Sequence, residues 1–197
     1  MISLIFDTET TGKVQYDIPY GDEIQPHLVG LAFELYDHER KWIVAEMDIL
    51  IDPGVLIPKD VVKIHGITTE IAKQFGVRPA VSAAIFSNFM GLADRFVCHN
   101  TQFDTAMMMI EFSRLGKPTS AIMQKDSYCT MKNSTDILKL PYGNRKEFKW
   151  PSLDEAYKGL VNTNGFKGAH RAINDVRATR EIMLALENRK GKKGCAK

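Results

Sequence analysis

A chain of 197 residues, 44% apolar and 25% charged, is long enough to bury one substantial core, and its ordinary composition excludes a wholly disordered or low-complexity protein. The formal net charge of +2 hides an asymmetry: Arg189, Lys190, Lys192, Lys193 and Lys197 carry five positive charges at the C-terminal end, which leaves residues 1–188 at −3. A mildly acidic body excludes recognition by bulk positive charge, so function has to be argued from a site.

The chain opens with a β-rich run, Ile2–Asp7, that predicts a strand, closed by a turn at Thr11-Gly12. Its apolar part, Ile2–Phe6, is too short and lacks the basic flank of a signal-peptide core. No segment approaches the roughly 18 uninterrupted apolar residues of a membrane span, so no membrane partner is expected. Residues 13–26 read as an exposed loop. His27–Tyr36 and Lys41–Ile51 are β-like runs around the polar Asp37-His38-Glu39-Arg40 and predict an antiparallel hairpin. From Pro58 the pattern turns helical, with short segments around His65 and over Thr69–Phe75 and a longer one over Pro79–Ala93. Arg95–His99 returns to strand. Gln102–Leu115 follows as a helix stopped by Gly116 and Pro118, its Met107, Met108 and Met109 reading as core filler. Ser152-Leu-Asp-Glu155 has the spacing of a capping box, and the stretch after His170 keeps helical periodicity to about Asn188. Strands early, helices late and one strand between helices predict an α/β fold with a mixed sheet. Cys98, Cys129 and Cys195 form no CxxC pair, which argues against a structural zinc site and predicts a reducing, cytoplasmic setting.

The residues that carry chemistry are carboxylates. Asp7 and Glu9, two apart at a strand end, share one face by period-two alternation and can hold a cation together, although the same spacing also describes a solvated strand end. Asp104 falls in the first turn of its helix, where free N–H groups and the dipole favour an ionised carboxylate, and helix-start chemistry alone is the competing reading. Asp175 follows His170 by five residues, which on one ideal helix would set them about 140° apart. His170 is therefore expected in the loop before the helix, from which both side chains converge on one pocket.

Together, Asp7-Thr-Glu9-Thr-Thr-Gly12, His99-Asn100-Thr-Gln-Phe103-Asp104 and His170-Arg-Ala-Ile-Asn-Asp175 resemble the three motifs of the DEDD superfamily of 3′-to-5′ exonucleases, in the family's order and across nearly the whole chain. With histidine five residues before the last aspartate and Arg171 after it, the sequence is similar to the histidine branch (DEDDh). That branch includes the DnaQ-like proofreading subunit of bacterial DNA polymerase III, ribonuclease T and oligoribonuclease. The resemblance implies a ribonuclease-H-like fold, a single α/β domain with a five-stranded mixed sheet flanked by helices, over residues 1–188, with 189–197 as a basic tail. It also implies a metal-dependent hydrolase that removes nucleotides from single-stranded or frayed 3′ ends, releasing nucleoside 5′-monophosphates. Two divalent cations are implied, Asp7 bridging both, Glu9 and Asp175 binding one, and Asp104 acting partly through water. All-oxygen ligation is hard-ligand chemistry that selects Mg²⁺ or Mn²⁺. His170 takes the role of general base, since imidazole ordinarily titrates near pH 6.5, at about the right place to accept a proton from the attacking water.

The same resemblance sets His65-Gly-Ile67-Thr against the terminal nucleotide, with Ile67 as a wedge beside a base, and adds the motif neighbours Thr10, Thr11, Gly12 and Asn100 to the substrate-binding set. Phe103 offers an apolar face to a base or sugar, or else packs in the core. His99 reads as a structural histidine beside the site, and His27 and His38 as surface residues. Tyr142–Trp150 interleaves Arg145, Lys146 and Lys149 with Tyr142, Phe148 and Trp150, which suits a single strand's backbone and bases; the competing reading is a solvated loop pinned by a buried tryptophan. The tail reads as phosphate contact or as a solubilising end. Single-stranded DNA is the favoured substrate because the first motif looks closer to the proofreading subgroup. RNA trimming is the runner-up, since these motifs say little about a 2′-hydroxyl. A non-catalytic nucleic-acid- or polymerase-binding module is the third reading, opposed by the intact motifs. This length carries no attached polymerase, so proofreading would need a polymerase partner.

Overall fold

The computed structural model describes residues 1–194, with side chains as far as Arg189, so the phosphate contacts expected of the basic tail fall on side chains outside those described. In chain order the elements are β1 (Ile2–Thr10), β2 (Leu28–Asp37), β3 (Trp42–Leu50), α1 (Lys59–His65), α2 (Thr69–Phe75), α3 (Pro79–Leu92), β4 (Arg95–Cys98), α4 (Thr101–Arg114), α5 (Ser120–Met123), β5 (Asp126–Cys129), α6 (Thr130–Leu138), α7 (Leu153–Leu160) and α8 (Ala172–Gly194). The strands form one mixed sheet in the order β3-β2-β1-β4-β5. β1, β2 and β3 are antiparallel neighbours, as the hairpin pattern predicts, while β1–β4 and β4–β5 are parallel. This is the five-stranded mixed sheet that the motif resemblance implied.

Alternation along β1 divides the molecule into two layers. Leu4 and Phe6 point into the larger core, where Phe6 meets Phe86 and Phe96 edge-on at 5.1 and 5.2 Å and where Met107, Met108 and Met109 of α4 are buried as expected. Ile5 points the other way, onto Ala172, Ile173 and Val176 of α8. Carried along the strand, the same alternation sends Thr8 toward α4 and sends Asp7 and Glu9 toward α8. Ion pairs tie α8 to the sheet: Arg180 Nη1 donates to both oxygens of the fully buried Glu34 at 2.8 Å, and on the exposed side Arg177 pairs with Glu46 at 2.7 Å.

Some expectations are corrected. β1 runs three residues past Asp7, because Thr8, Glu9 and Thr10 continue to pair with β2 across a register shift after Glu9. Three elements between residues 120 and 138 escape the sequence pattern: α5, β5 and α6. β5 has no buried residue to announce it and is held by its pairing to β4. α8 continues beyond Asn188 to Gly194. His38 is no surface residue; only 14% of its side chain is exposed, and it is enclosed by Ser3, Glu187 and Tyr36. The predicted capping box of α7 is present, with Ser152 Oγ accepting from Glu155 N and Glu155 Oε2 from Ser152 N.

Candidate active site

Three carboxylates converge where β1 faces the start of α8. Oxygen atoms of Asp7, Glu9 and Asp175 lie within 4.8 Å of one another. Asp175 stands in the first turn of α8, and His170 precedes that helix in a left-handed conformation, φ 67°, which turns its backbone N–H onto Asp175 Oδ2 at 3.2 Å. His170 thus occupies the loop position that its spacing from Asp175 required, and its side chain lines the same cleft as Glu9. The other Asp175 oxygen, Oδ1, is buried and has no hydrogen-bond partner. A buried carboxylate oxygen left unpartnered beside two further carboxylates is a donor set for a cation.

Asp104 reaches the group from the opposite layer. It sits in the first turn of α4, where Thr8 holds its Oδ1 twice, through the backbone N–H at 3.1 Å and the hydroxyl at 2.8 Å. Thr8 is a residue that sequence reasoning passed over, although the alternation that faces Asp7 and Glu9 to one side already sends Thr8 to the other. Asn100 caps α4 with φ 88°, a conformation that turns the chain sharply from β4 into the helix.

The electrostatics express the crowding. Burial, and then Asp104, Glu9 and Asp175 in turn, hold the Asp7 carboxyl well above its ordinary range. Burial and the neighbouring carboxylates Asp175, Asp104 and Asp48 push Glu9 up to about 8. Burial raises Asp104 to about 7 against the opposing hydrogen bonds from Thr8, and raises Asp175 to about 6. With no cation Glu9 keeps its proton at neutral pH, Asp104 titrates close to neutrality and Asp175 is mostly ionised, and a divalent ion is the counter-charge that would displace the protons that remain.

Beside the carboxylates opens a cleft of about 280 Å³, walled by Glu9, Gly30, Asp48, His65, Ile67 and His170. Gly30 lies opposite Glu9 in the β1–β2 ladder, and a Cβ there would stand 3.3 Å from Glu9 Cβ and 3.4 Å from Ile67 Cδ1, so the absent side chain is what leaves the cleft open. His65 Nδ1 accepts from Ile67 N at 3.0 Å, which fixes the His65–Ile67 turn, and Ile67 packs on Val29, Ile57 and Ala72 with one edge to the cleft. Asp48, also passed over, pairs with Arg171 of the third motif at 3.0 Å across the cleft wall beside His170. Asp48 opposes Ala32 in the β2–β3 ladder, one strand out from Asp7.

The remaining expected residues have structural partners. Thr10 donates its hydroxyl to Gly12 O at 2.7 Å, and Thr11 Oγ1 accepts from His27 N at 2.9 Å, so these hydroxyls hold the turn after β1. Phe103 is partly buried against the larger core. His99 bridges Thr130 Oγ1 at 2.9 Å and the Pro151 carbonyl at 3.0 Å, the structural role expected of it.

Comparison with known proteins identifies the chain's family and fold. The profile of the Exonuclease family matches residues 4–183. The DNA polymerase III subunit epsilon of Pasteurella multocida is 23% identical over 183 residues, 93% of this chain and 67% of that protein; its counterpart in Buchnera aphidicola is 28% identical over 174 residues, 87% of this chain and 66% of that protein. Among solved structures, E. coli exonuclease I in complex with a dT13 oligonucleotide superposes with a TM-score of 0.69 at 20% identity, covering 94% of this chain and 40% of that one. A zinc-bound form of the E. coli exonuclease I–single-stranded DNA complex gives 0.71 at 21% identity, covering 96% of this chain and 41% of that one. The chain therefore spans about two thirds of the polymerase subunits and about two fifths of exonuclease I.

Proposed function

The chain belongs to the Exonuclease family, and from that premise we propose that it removes nucleotides one at a time from the 3′ ends of single-stranded or frayed DNA, releasing nucleoside 5′-monophosphates. The observation that carries this reading is the convergence of Asp7, Glu9 and Asp175 within 4.8 Å, with one Asp175 oxygen buried and unpartnered. Asp7, Glu9, Asp104 and Asp175 would hold two divalent cations, Mg²⁺ or Mn²⁺ by the hardness of an all-carboxylate set. When bound, such ions supply the charge that acidifies the attacking water and offsets the negative charge gathering on the departing oxygen.

The chain's own residues do the rest. His170 takes the proton of the attacking water, its reach into the cleft set by the turn that ties its N–H to Asp175. Thr8 keeps Asp104 from swinging away when cations arrive. Ile67 and His65 bound the room for the terminal base and sugar, and Gly30 keeps that room clear. Single-stranded DNA as substrate draws support from the exonuclease I complexes, and a polymerase partner from the epsilon-subunit relatives. Among the described residues no helix is long and apolar enough to cross a membrane, and Cys98 and Cys129 are free thiols.

The test is a time course with Mg²⁺ or Mn²⁺ on DNA and RNA of matched sequence, each labelled at the 5′ end. A ladder shortening from the 3′ end, faster on DNA, is the expected result. Faster RNA shortening would make this an exoribonuclease, and no release from either polymer with Mn²⁺ would favour the non-catalytic binding module.

A further inference from the structure

The loop between α6 and α7 lies on the opposite flank of the carboxylates from the terminal-nucleotide cleft. Strand order fixes this: the cleft is walled by β2, β3 and the start of α8, β1 carries Asp7 and Glu9, and β4 follows on the other side. β1 and β4 are parallel and paired Ser3 to Arg95 and Ile5 to Val97, a register that carried two residues further sets His99 alongside Asp7. His99 in turn holds the root of the loop through the Pro151 carbonyl at 3.0 Å and the start of α6 through Thr130 at 2.9 Å. A strand with its 3′ nucleotide in the cleft and its scissile phosphate at the carboxylates would leave on the side of β4 and this loop.

The loop's surface is built for such a strand. Trp150, expected to be buried if it pinned the loop, is 59% exposed, and Tyr142 and Phe148 are 46% and 38% exposed. With Glu147 and Lys149 they line a hollow of about 560 Å³. Arg145 stands 4.5 Å over the Tyr142 ring and Lys139 5.9 Å over Phe148, so cations and ring faces are already held together. Lys149 N donates to Leu140 O at 3.0 Å, closing the base of the loop, and Lys149 Nζ is taken by Glu155 at 2.6 Å. Arg145, Lys146 and Lys139 are left to offset phosphate charge against the single acidic loop residue Glu147.

Resting on the exonuclease reading of the adjacent carboxylates, we propose that residues 139–151 form the binding surface for the single strand on the 5′ side of the scissile phosphate, with Tyr142, Phe148 and Trp150 stacking on bases and Arg145 and Lys146 contacting phosphates. The experiment compares the full chain with Tyr142→Ala, Trp150→Ala, Trp150→Phe and the Arg145→Ala/Lys146→Ala pair. Turnover is measured on a dinucleotide and on an oligothymidylate about a dozen nucleotides long, a span that covers one stacking platform. Each ring deletion should raise KM for the long strand about tenfold, the size of one lost base stack, and Trp150→Phe should restore most of it. Turnover of the dinucleotide should stay unchanged. The double cation variant should flatten the slope of log affinity against log salt by about 0.7 per cation removed. Long-strand KM and salt slope at wild-type values, or equal losses on both substrates, would overturn the proposal. Should the wild type hydrolyse neither substrate, the catalytic reading fails, and the surface is then judged alone by oligothymidylate binding in EDTA, read from Trp150 fluorescence in a Trp42→Phe background. Quenching weakened by Tyr142→Ala supports the surface, and no quenching rejects it.

Discussion

His170 and Asp175 fail in different ways when removed, and that difference separates a proton acceptor from a cation ligand. His170 lines the cleft and bonds Asp175 only through its backbone N–H, which an alanine keeps. His170→Ala is therefore expected to lose about 10²–10⁴-fold in rate, the usual worth of general-base assistance, with metal-induced stabilisation intact. Asp175→Ala should lose both, because its orphaned Oδ1 is one of the oxygens proposed to hold a cation. Paired kinetics and melting curves with Mn²⁺ check this; wild-type turnover by His170→Ala at neutral pH would refute the assignment. These residues were legible from spacing because strand alternation and helical phase are local rules. Thr8 and Asp48 were not. Their importance comes from a partner 96 residues away in one case, and from neighbouring strands in the other.

At the level of elements, the wall of the cleft depends on how closely α2 ends against the sheet. Val77 pairs with Leu50 and Asp52 after the helix, and a Cβ on the intervening Gly76 would lie 2.4 Å from Ala72 O and 2.5 Å from Asp52 N, both backbone atoms that cannot rotate aside. Gly76→Ala should cost about 1–3 kcal/mol through forced backbone shifts and should raise KM with the displaced α1–α2 wall. Chemical denaturation and steady-state kinetics read the two effects, and a variant as stable as wild type would show that α2 docks more loosely than described here. Elements with their own periodicity and caps, such as the β2–β3 hairpin, α3 and α7, could be read before any tertiary structure. β5 could not, since four half-exposed residues form a strand only because β4 offers them a parallel edge. Trp150 misleads in the same way, for an aromatic ring left exposed has the same composition as one that fills a core.

For the whole molecule, the clustered carboxylates link stability to pH and to metal. Asp7, Glu9, Asp104 and Asp175 all have folded-state pKa values above their ordinary ones, reaching about 8 for Glu9. From the unfolded carboxylate value of about 4 up through the Glu9 value of about 8, the folded state binds more protons than the unfolded chain, so stability without metal is greatest at the low end and is lost as pH rises. Melting in EDTA should therefore move to lower temperature as pH rises across the window, and saturating Mn²⁺ should remove most of that slope. A Tm in EDTA that rises through the same window would contradict the burial of these charges.

If the four carboxylates act together as a two-cation centre, Mn²⁺ binding counted by electron paramagnetic resonance in the presence of a nucleoside 5′-monophosphate reads it most directly. Wild type should bind two ions, stabilising the fold by about 2.7 kcal/mol per site at a concentration about 100 times the dissociation constant, and Asp7→Asn should lose both ions and activity together. Binding of no ion, or two ions held equally well by Asp7→Asn, would contradict it.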